Sequence, residues 1–245
     1  MAQAMLEGQV VVITGSAGGI GRYAAKTFAE AGARVVVADV KPLDAIAAEL
    51  EAMETDYLAV PTDVQDEAAV RNLMDETMKR FGRIDVLHNN AAIVTHFHWG
   101  IPHWPRIAEL DLGFWNKVIQ TNLGGTFLCT RHALPYMEAQ RSGHIINTTG
   151  GSGQIGAAPY QVSKDAIRSF TRAVAEEERE FNICVVGMSP GARIATEEAS
   201  EEARARYPGP EFVGNRFVLA AELGMDFSGK LLSLDDNGKV VVSQS

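Results

Sequence analysis

Cysteine is scarce in this chain. Among 245 residues only Cys129 and Cys184 are cysteines. Both sit in apolar stretches without the spacing of a metal knuckle or redox pair, so a disulfide framework is excluded and both are expected in the core. No apolar run reaches the roughly 18 residues that a membrane span needs. Residues 1–8 lack the apolar stretch of a secretory signal, so a cytoplasmic protein is expected. Basic residues are outnumbered, 22 Lys and Arg against 31 Asp and Glu, and the resulting net charge of -9 argues against binding nucleic acid or an anionic membrane through bulk electrostatics. Internal repeats, low-complexity tracts and linkers are also missing. With 46% hydrophobic and 22% charged residues, disorder is excluded as the main state. A single domain over residues 1–245 is expected, because alternating strand and helix folds reach this length undivided.

What is present is alternation. Residues 9–14 (QVVVIT) form a β-branched run that ends at glycines, as a strand buried on both faces does. Residues 21–31 carry apolar side chains at helical spacing and close on Gly32, a helix stop. The pattern returns in strands 34–38, 57–60, 84–88, 144–147 and 183–188 and in helices 43–53, 67–81, 114–139 and 159–180, with a last strand near 230–234. Strand and helix repeated in this way predict an α/β fold, a doubly wound parallel sheet of the Rossmann type with helices on both faces. Two stretches break the pattern: 93–113, rich in Trp, His and Pro, and 196–214, acidic and then rich in Pro and Gly. Both follow carboxyl ends of predicted strands, where such sheets place ligands.

The chemistry-bearing residues fall at those ends. The turn Thr14-Gly15-Ser16-Ala17-Gly18-Gly19-Ile20-Gly21 lies between the first strand and the first helix. Glycines there, with Gly15, Gly19 and Gly21 as candidates, let backbone approach a pyrophosphate held at the helix N-terminus. Asp39 ends the second strand, 18 residues after Gly21, where a carboxylate accepts hydrogen bonds from ribose hydroxyls and repels a 2′-phosphate; NAD(H) is expected over NADP(H). Lys41 and Arg22 are nearby cations that could blur this preference. Asp63-Val64 could set a carboxylate near the adenine amino group, or belong to the cap of the following helix. Tyr160 and Lys164 are one helical turn apart, so the ammonium can stand beside the phenol, lower its pKa and make it an acid/base for a substrate oxygen.

Together, TGSAGGIG at 14–21, Asp39, Asp63-Val64, Asn89-Asn90-Ala91-Ala92, Asn122 in QTNLGGTF, Tyr160-Gln-Val-Ser-Lys164 and Pro190-Gly191 resemble the short-chain dehydrogenase/reductase family over about residues 7–196. The resemblance implies cofactor contacts from Gly15, Ser16, Gly19, Ile20, Gly21, Asp39, Asp63, Val64, Asn90, Ala91, Lys164, Pro190, Gly191 and Thr196. It implies Tyr160 as acid/base, Lys164 as the group that lowers its pKa and holds the nicotinamide ribose, and Asn122 as the holder of a water in a proton relay. It also implies pairing of subunits into a homotetramer through helices 114–139 and 159–180.

Two departures stand out. The family carries a serine upstream of the tyrosine. Counting back thirteen residues from Tyr160 reaches Asn147, whereas aligning the strand 144–147 puts Gly150 in that place. Ser152 in the loop GGSG is the first candidate for the missing hydroxyl and Thr149 the second; an unfilled slot stays open. The second departure is the length between Asn90 and Asn122. The extra material, near 95–107, carries His96, His98 and His103, but no carboxylate or cysteine completes a ligand set, so no metal is expected. Trp99 and Trp104 are read as an apolar lid or a surface. In the stretch 196–214, Glu197, Glu198, Glu201 and Glu202 read as a solvated helix face.

The expected activity is an NAD(H)-dependent interconversion of a secondary alcohol and a ketone, a small molecule that could be aromatic. The alternative is a cofactor-binding protein of the same fold with little or no catalysis, acting as a sensor or in assembly.

Overall fold

The computed structural model describes residues 5–94, 106–150 and 158–243. Strands β1 (Val10–Thr14), β2 (Arg34–Asp39), β3 (Tyr57–Pro61), β4 (Val86–Asn89), β5 (Gly143–Thr148), β6 (Ile183–Met188), β7 (Leu231–Leu234) and β8 (Val240–Val242) form one sheet in the order β3-β2-β1-β4-β5-β6-β7-β8. Strands β1 to β7 pair in parallel and β8 returns antiparallel along β7. Every residue of β1 and of β6 is buried, which is why both read as unbroken apolar runs rather than alternating ones.

Helices cover both faces. On one side α1 (Gly19–Glu30), α2 (Asp44–Ala52) and α8 (Arg216–Ala221) bring Phe28, Ile46, Leu50 and Phe217 onto Val11, Ile13, Val35 and Val37. On the other, α3 (Glu67–Phe81), α5 (Gly125–Gln140) and α6 (Ala158–Glu177) bring Leu73, Met74, Met137 and Val174 onto Val10, Val12 and Val36. Alternate residues of one strand thus feed opposite cores. Cys129 and Cys184 are buried and unpaired, as expected.

The chain runs outward from β1 to β2 and β3, then crosses to β4 on the opposite side of β1. This reversal opens a crevice beyond the carboxyl ends of β1 and β4.

The helix expected over 114–139 is two helices, α4 (Leu112–Ile119) and α5, joined by a π-turn at Gln120–Gly124. The extra residue in that turn is an irregularity that apolar periodicity does not register. Helix α7 (Glu201–Arg206) falls where the glutamates read as a helix face, whereas α8 and strand β8 were not anticipated, because segments of 6 and 3 residues are too short for a period to show.

His88 is the polar exception in the central strands. It is fully buried, with Nε2 2.9 Å from Thr148 Oγ1 and its ring 4.1 Å from that of Phe217. Burial, and secondarily the charge of Lys164, push its pKa down to about 3. The unfolded chain therefore takes up a proton near pH 6.5 that the folded protein refuses until about pH 3. The stability this group contributes is complete above pH 6.5 and drains away as pH falls. Between pH 6.5 and 5 the loss from His88 alone should be about 1.5 kcal/mol, read as the difference in urea-unfolding free energy, and His88→Gln should lack that portion; an identical acid slope in the variant would refute the assignment.

Candidate active site

The glycine turn between β1 and α1 is shaped by close approach. Gly15 has φ +68°, and a Cβ there would lie 2.6 Å from the Ala91 Cα. A Cβ on Gly21 would lie 2.1 Å from the Gly15 carbonyl oxygen. Only glycine lets the turn nest against the end of β4 and close onto itself. Asn90 braces it from β4, donating from Nδ2 to the carbonyls of Thr14 and Gly15, each at 3.1 Å.

Ser16 is buried, and its hydroxyl accepts from the Ala38 N–H at 2.8 Å. That side chain ties the turn to β2 and is not on the cavity wall. Gly21 likewise lies behind the wall, closing the turn.

A cavity of about 550 Å³ runs from Asp39, Val40 and Lys41, past Gly15, Gly19 and Ile20, to Tyr160 and Lys164. Asp63, Val64, Ala91, Pro190 and Thr196 also line it, as does Asn90. The Asp39 carboxylate is fixed by the N–H groups of Ala17 and Lys41, both at 2.9 Å, at the end of β2. The cap of α3 is Asp66, which accepts from the Ala68 N–H. Asp63, on the cavity wall, closes its own turn by accepting from the Gln65 N–H at 2.9 Å. A glycine cradle that any side chain would fill, a helix N-terminus beside it, and a positioned carboxylate at the far end together fit an adenine dinucleotide.

At the other end, Tyr160 and Lys164 project from the first turns of α6. Lys164 is 3% exposed; its Nζ donates to the Thr148 carbonyl at 2.8 Å and lies 5.7 Å from the centre of the Tyr160 ring. Here burial works against the sequence expectation. Lys164 was expected to hold the phenol below its ordinary pKa, yet burial pushes Tyr160 up to about 12 and pushes Lys164 down to about 8. A poorly solvated site disfavours charge on both groups, and this outweighs their mutual attraction. The phenol is thus held as a proton donor at neutral pH.

Asn122 is buried in the π-turn. Its Oδ1 accepts from the Ile93 N–H at 2.7 Å, and its Nδ2 donates to Ser163 Oγ at 3.0 Å and to the Ile93 carbonyl at 3.3 Å. The amide is thus spent on fixing the cavity wall at Ile93 and the Ser163 turn of α6, rather than directed into the cavity.

The slot opposite the phenol belongs to Gly150, where an added Cβ would stand 3.6 Å from the Tyr160 hydroxyl. Aligning on β5 rather than counting residues therefore located the position. Thr149 lines the cavity, with its methyl turned toward Gly187. Ser152 lies outside the described residues, as do His96, Trp99, His98, His103 and Trp104. Among the described residues no group of three His, Cys, Asp or Glu could hold a metal, and no helix is long and apolar enough to cross a membrane.

Gly191, at φ +86°, lies against the Arg216 guanidinium rather than on the cavity wall. Lys41, expected near Asp39, is on the wall; residues missed from sequence are Lys117 on the wall, Thr148 through its carbonyl, and above all Glu197 and Glu198, which line the cavity from the far side. Glu197 accepts from the Gly19 N–H with both carboxylate oxygens, at 3.2 and 3.0 Å. All four glutamates are exposed; the helix-face reading holds for Glu201 and Glu202, on α7, while Glu197 and Glu198 border the cavity. Nothing among the four glutamates marks two of them for the crevice.

Comparison with known proteins agrees with this geometry. The family model described as short chain dehydrogenase matches residues 9–206. Cis-4-hydroxycyclohexanecarboxylate dehydrogenase of Sinomonas cyclohexanicum is 34% identical over 96% of this chain and 98% of its own. L-fucose dehydrogenase of Bos taurus is 36% identical over 89% of this chain and 77% of its own. The crystal structure of a short chain dehydrogenase from Mycobacterium avium superposes with a TM-score of 0.82 at 28% identity, covering 98% of this chain and 87% of that one. This chain belongs to the short-chain dehydrogenase family and is an oxidoreductase of alcohols and ketones.

Proposed function

We propose that the protein is an NAD(H)-dependent dehydrogenase that interconverts a small secondary alcohol and its ketone, with Tyr160 as the acid/base. The observation that carries this reading is one cavity joining Asp39 at one end to Tyr160 and Lys164 at the other. A nicotinamide held there would supply or accept the hydride. The protein's own part is positioning and proton transfer. The α1 N-terminus would take the diphosphate and Asp39 the adenosine ribose hydroxyls. Lys164, anchored on the Thr148 carbonyl, would hold the second ribose; Pro190 and Thr196 border that end.

In the reduction direction Tyr160, held protonated by burial, donates its proton to the carbonyl oxygen as the carbon receives hydride. In the oxidation direction the phenol would first have to ionise, which the Lys164 cation favours. Asn122 sets the wall beside it, and any third hydroxyl comes from Thr149 or Ser152 because Gly150 has none. Gly150 also favours a second reading, a dinucleotide-binding protein with feeble catalysis, since loss of one donor to a developing oxyanion costs on the order of a hundredfold in rate.

The assembly proposed is a cytoplasmic homotetramer of single-domain subunits spanning 1–245. Two apolar side chains on α5 and α6, Phe127 and Val162, are 43% and 46% exposed, as residues covered by a second subunit would be.

Tyr160→Phe should cut turnover of a panel of secondary alcohols and ketones by roughly 10²–10⁴-fold, while NADH fluorescence titration shows unchanged affinity; retained turnover would exclude Tyr160, and NADH binding without turnover of any substrate by the natural chain would favour the second reading. Asp39→Ser should raise the kcat/KM ratio of NADP+ to NAD+ by about tenfold or more, since removing the carboxylate removes repulsion of a 2′-phosphate. Light scattering should give the mass of four chains, and Phe127→Asp should yield smaller species; a monomeric natural chain would exclude this assembly.

A further inference from the structure

The segment that follows β6 crosses the crevice as a strap. Its backbone is anchored by the buried side chains of Ile194, Ala195 and Ala199 and by hydrogen bonds from the Ala195 N–H to the Pro208 carbonyl at 2.8 Å and from the Ala199 N–H to the Thr196 carbonyl at 3.0 Å. Arg204 Nη1 adds a bond to the Glu197 carbonyl at 3.0 Å. Thr196 rests on the turn so closely that a Cβ on Gly19 would meet its Cγ2 at 2.8 Å. Beyond it two carboxylates line the cavity. Glu197 accepts from the Gly19 N–H through both oxygens, and Glu198 pairs with Lys41 next to Asp39.

Those two contacts are unequal. The Lys41–Glu198 pair is half exposed, so solvent screens it and it adds little. Glu197 is exposed as well, but its partner is the backbone of a helix N-terminus rather than a mobile ammonium. It sits over the first turn of a 12-residue helix, and Gly18 and Gly19 offer no side chain to keep it off. An anion at that place is stabilised by the exposed N–H groups and by the helix dipole. A diphosphate held by the same turn would need the same N–H and would meet a carboxylate already there. Its own charge would be repelled as well.

We propose that Glu197 is a built-in competitor for the diphosphate of the dinucleotide, so that binding the cofactor requires the strap to give up the α1 N-terminus. The proposal rests on the reading of this crevice as the NAD(H) site. It makes Glu197 a determinant of cofactor affinity and couples that affinity to movement of the segment that also carries Thr196 to the cavity wall. The consequence is a cofactor site set weaker than its glycine turn alone would give, with release of product cofactor assisted by return of the carboxylate.

The test uses the full chain and NADH itself as probe. Glu197→Gln keeps the shape and an acceptor oxygen but removes the charge, and should tighten NADH binding about fivefold in calorimetric titration, the scale of an anion lost from a helix N-terminus. In the absence of dinucleotide the same variant should melt at a lower temperature than the natural chain, because α1 has lost its capping anion; at saturating NADH the difference should vanish. Glu201→Gln, on exposed α7, should change neither quantity. Equal or weaker NADH affinity in Glu197→Gln would overturn the proposal, as would equal tightening in Glu201→Gln, which would mark a bulk charge effect. Failure of the natural chain to bind NADH at all would overturn the NAD(H) reading of the crevice, and the competitor with it, a result distinct from binding that Glu197 does not influence.

Discussion

The carboxyl ends of β1 and β4 converge until Gly15 and the Ala91 backbone are in contact, and the rest of the site follows from that approach. At 2.6 Å from Ala91 Cα there is no room for a side chain on residue 15, and the turn it permits points the N-terminus of α1 at the crevice. Asn90, one residue before Ala91, spends its amide on the same turn. Asp39 reaches the crevice because Ala17, two residues after Gly15, donates to its carboxylate. Glycine at this place is therefore a packing requirement first and a ligand-approach device second.

At the opposite end the governing quantity is solvent exclusion. Lys164 is nearly inaccessible and answers to a main-chain carbonyl of β5. Tyr160 shares the same poorly hydrated surroundings. Both groups are driven toward their neutral forms, which reverses the simple expectation for an ammonium next to a phenol. A site of this kind favours the proton on the phenol. His88, behind Thr148, extends the same low-dielectric region into the core and is neutral for the same reason.

Much of the architecture was readable along the chain. The strands at 9–14, 34–38 and 183–188 were legible because they are buried on both faces and so are apolar without interruption, and α3 because an acidic cap, an apolar stripe and Gly82 mark it from end to end. The glycine turn, Asp39 and the Tyr160–Lys164 pair were legible because each is a local spacing with a local reason. The π-turn around Asn122 was not, since one added residue leaves the hydrophobic period almost unchanged. Nor were α8 and β8, too short to carry a period. The place opposite the phenol was recognised as Gly150 only by aligning a strand, because counting residues fails when a loop changes length.

Chain-local patterning was enough to establish the α/β class, the order of its principal elements, the dinucleotide turn and the acid/base candidate, for these depend on residues within a turn or two of each other. Two matters depended on groups brought together from afar. The direction of the Tyr160 and Lys164 shifts is set by how completely the surrounding elements exclude water, which no spacing encodes. The seat of Glu197 on Gly19, across 178 residues of chain, exists because the segment after β6 folds back over the crevice, and one carboxylate among the four of residues 197–202 has nothing local to distinguish it.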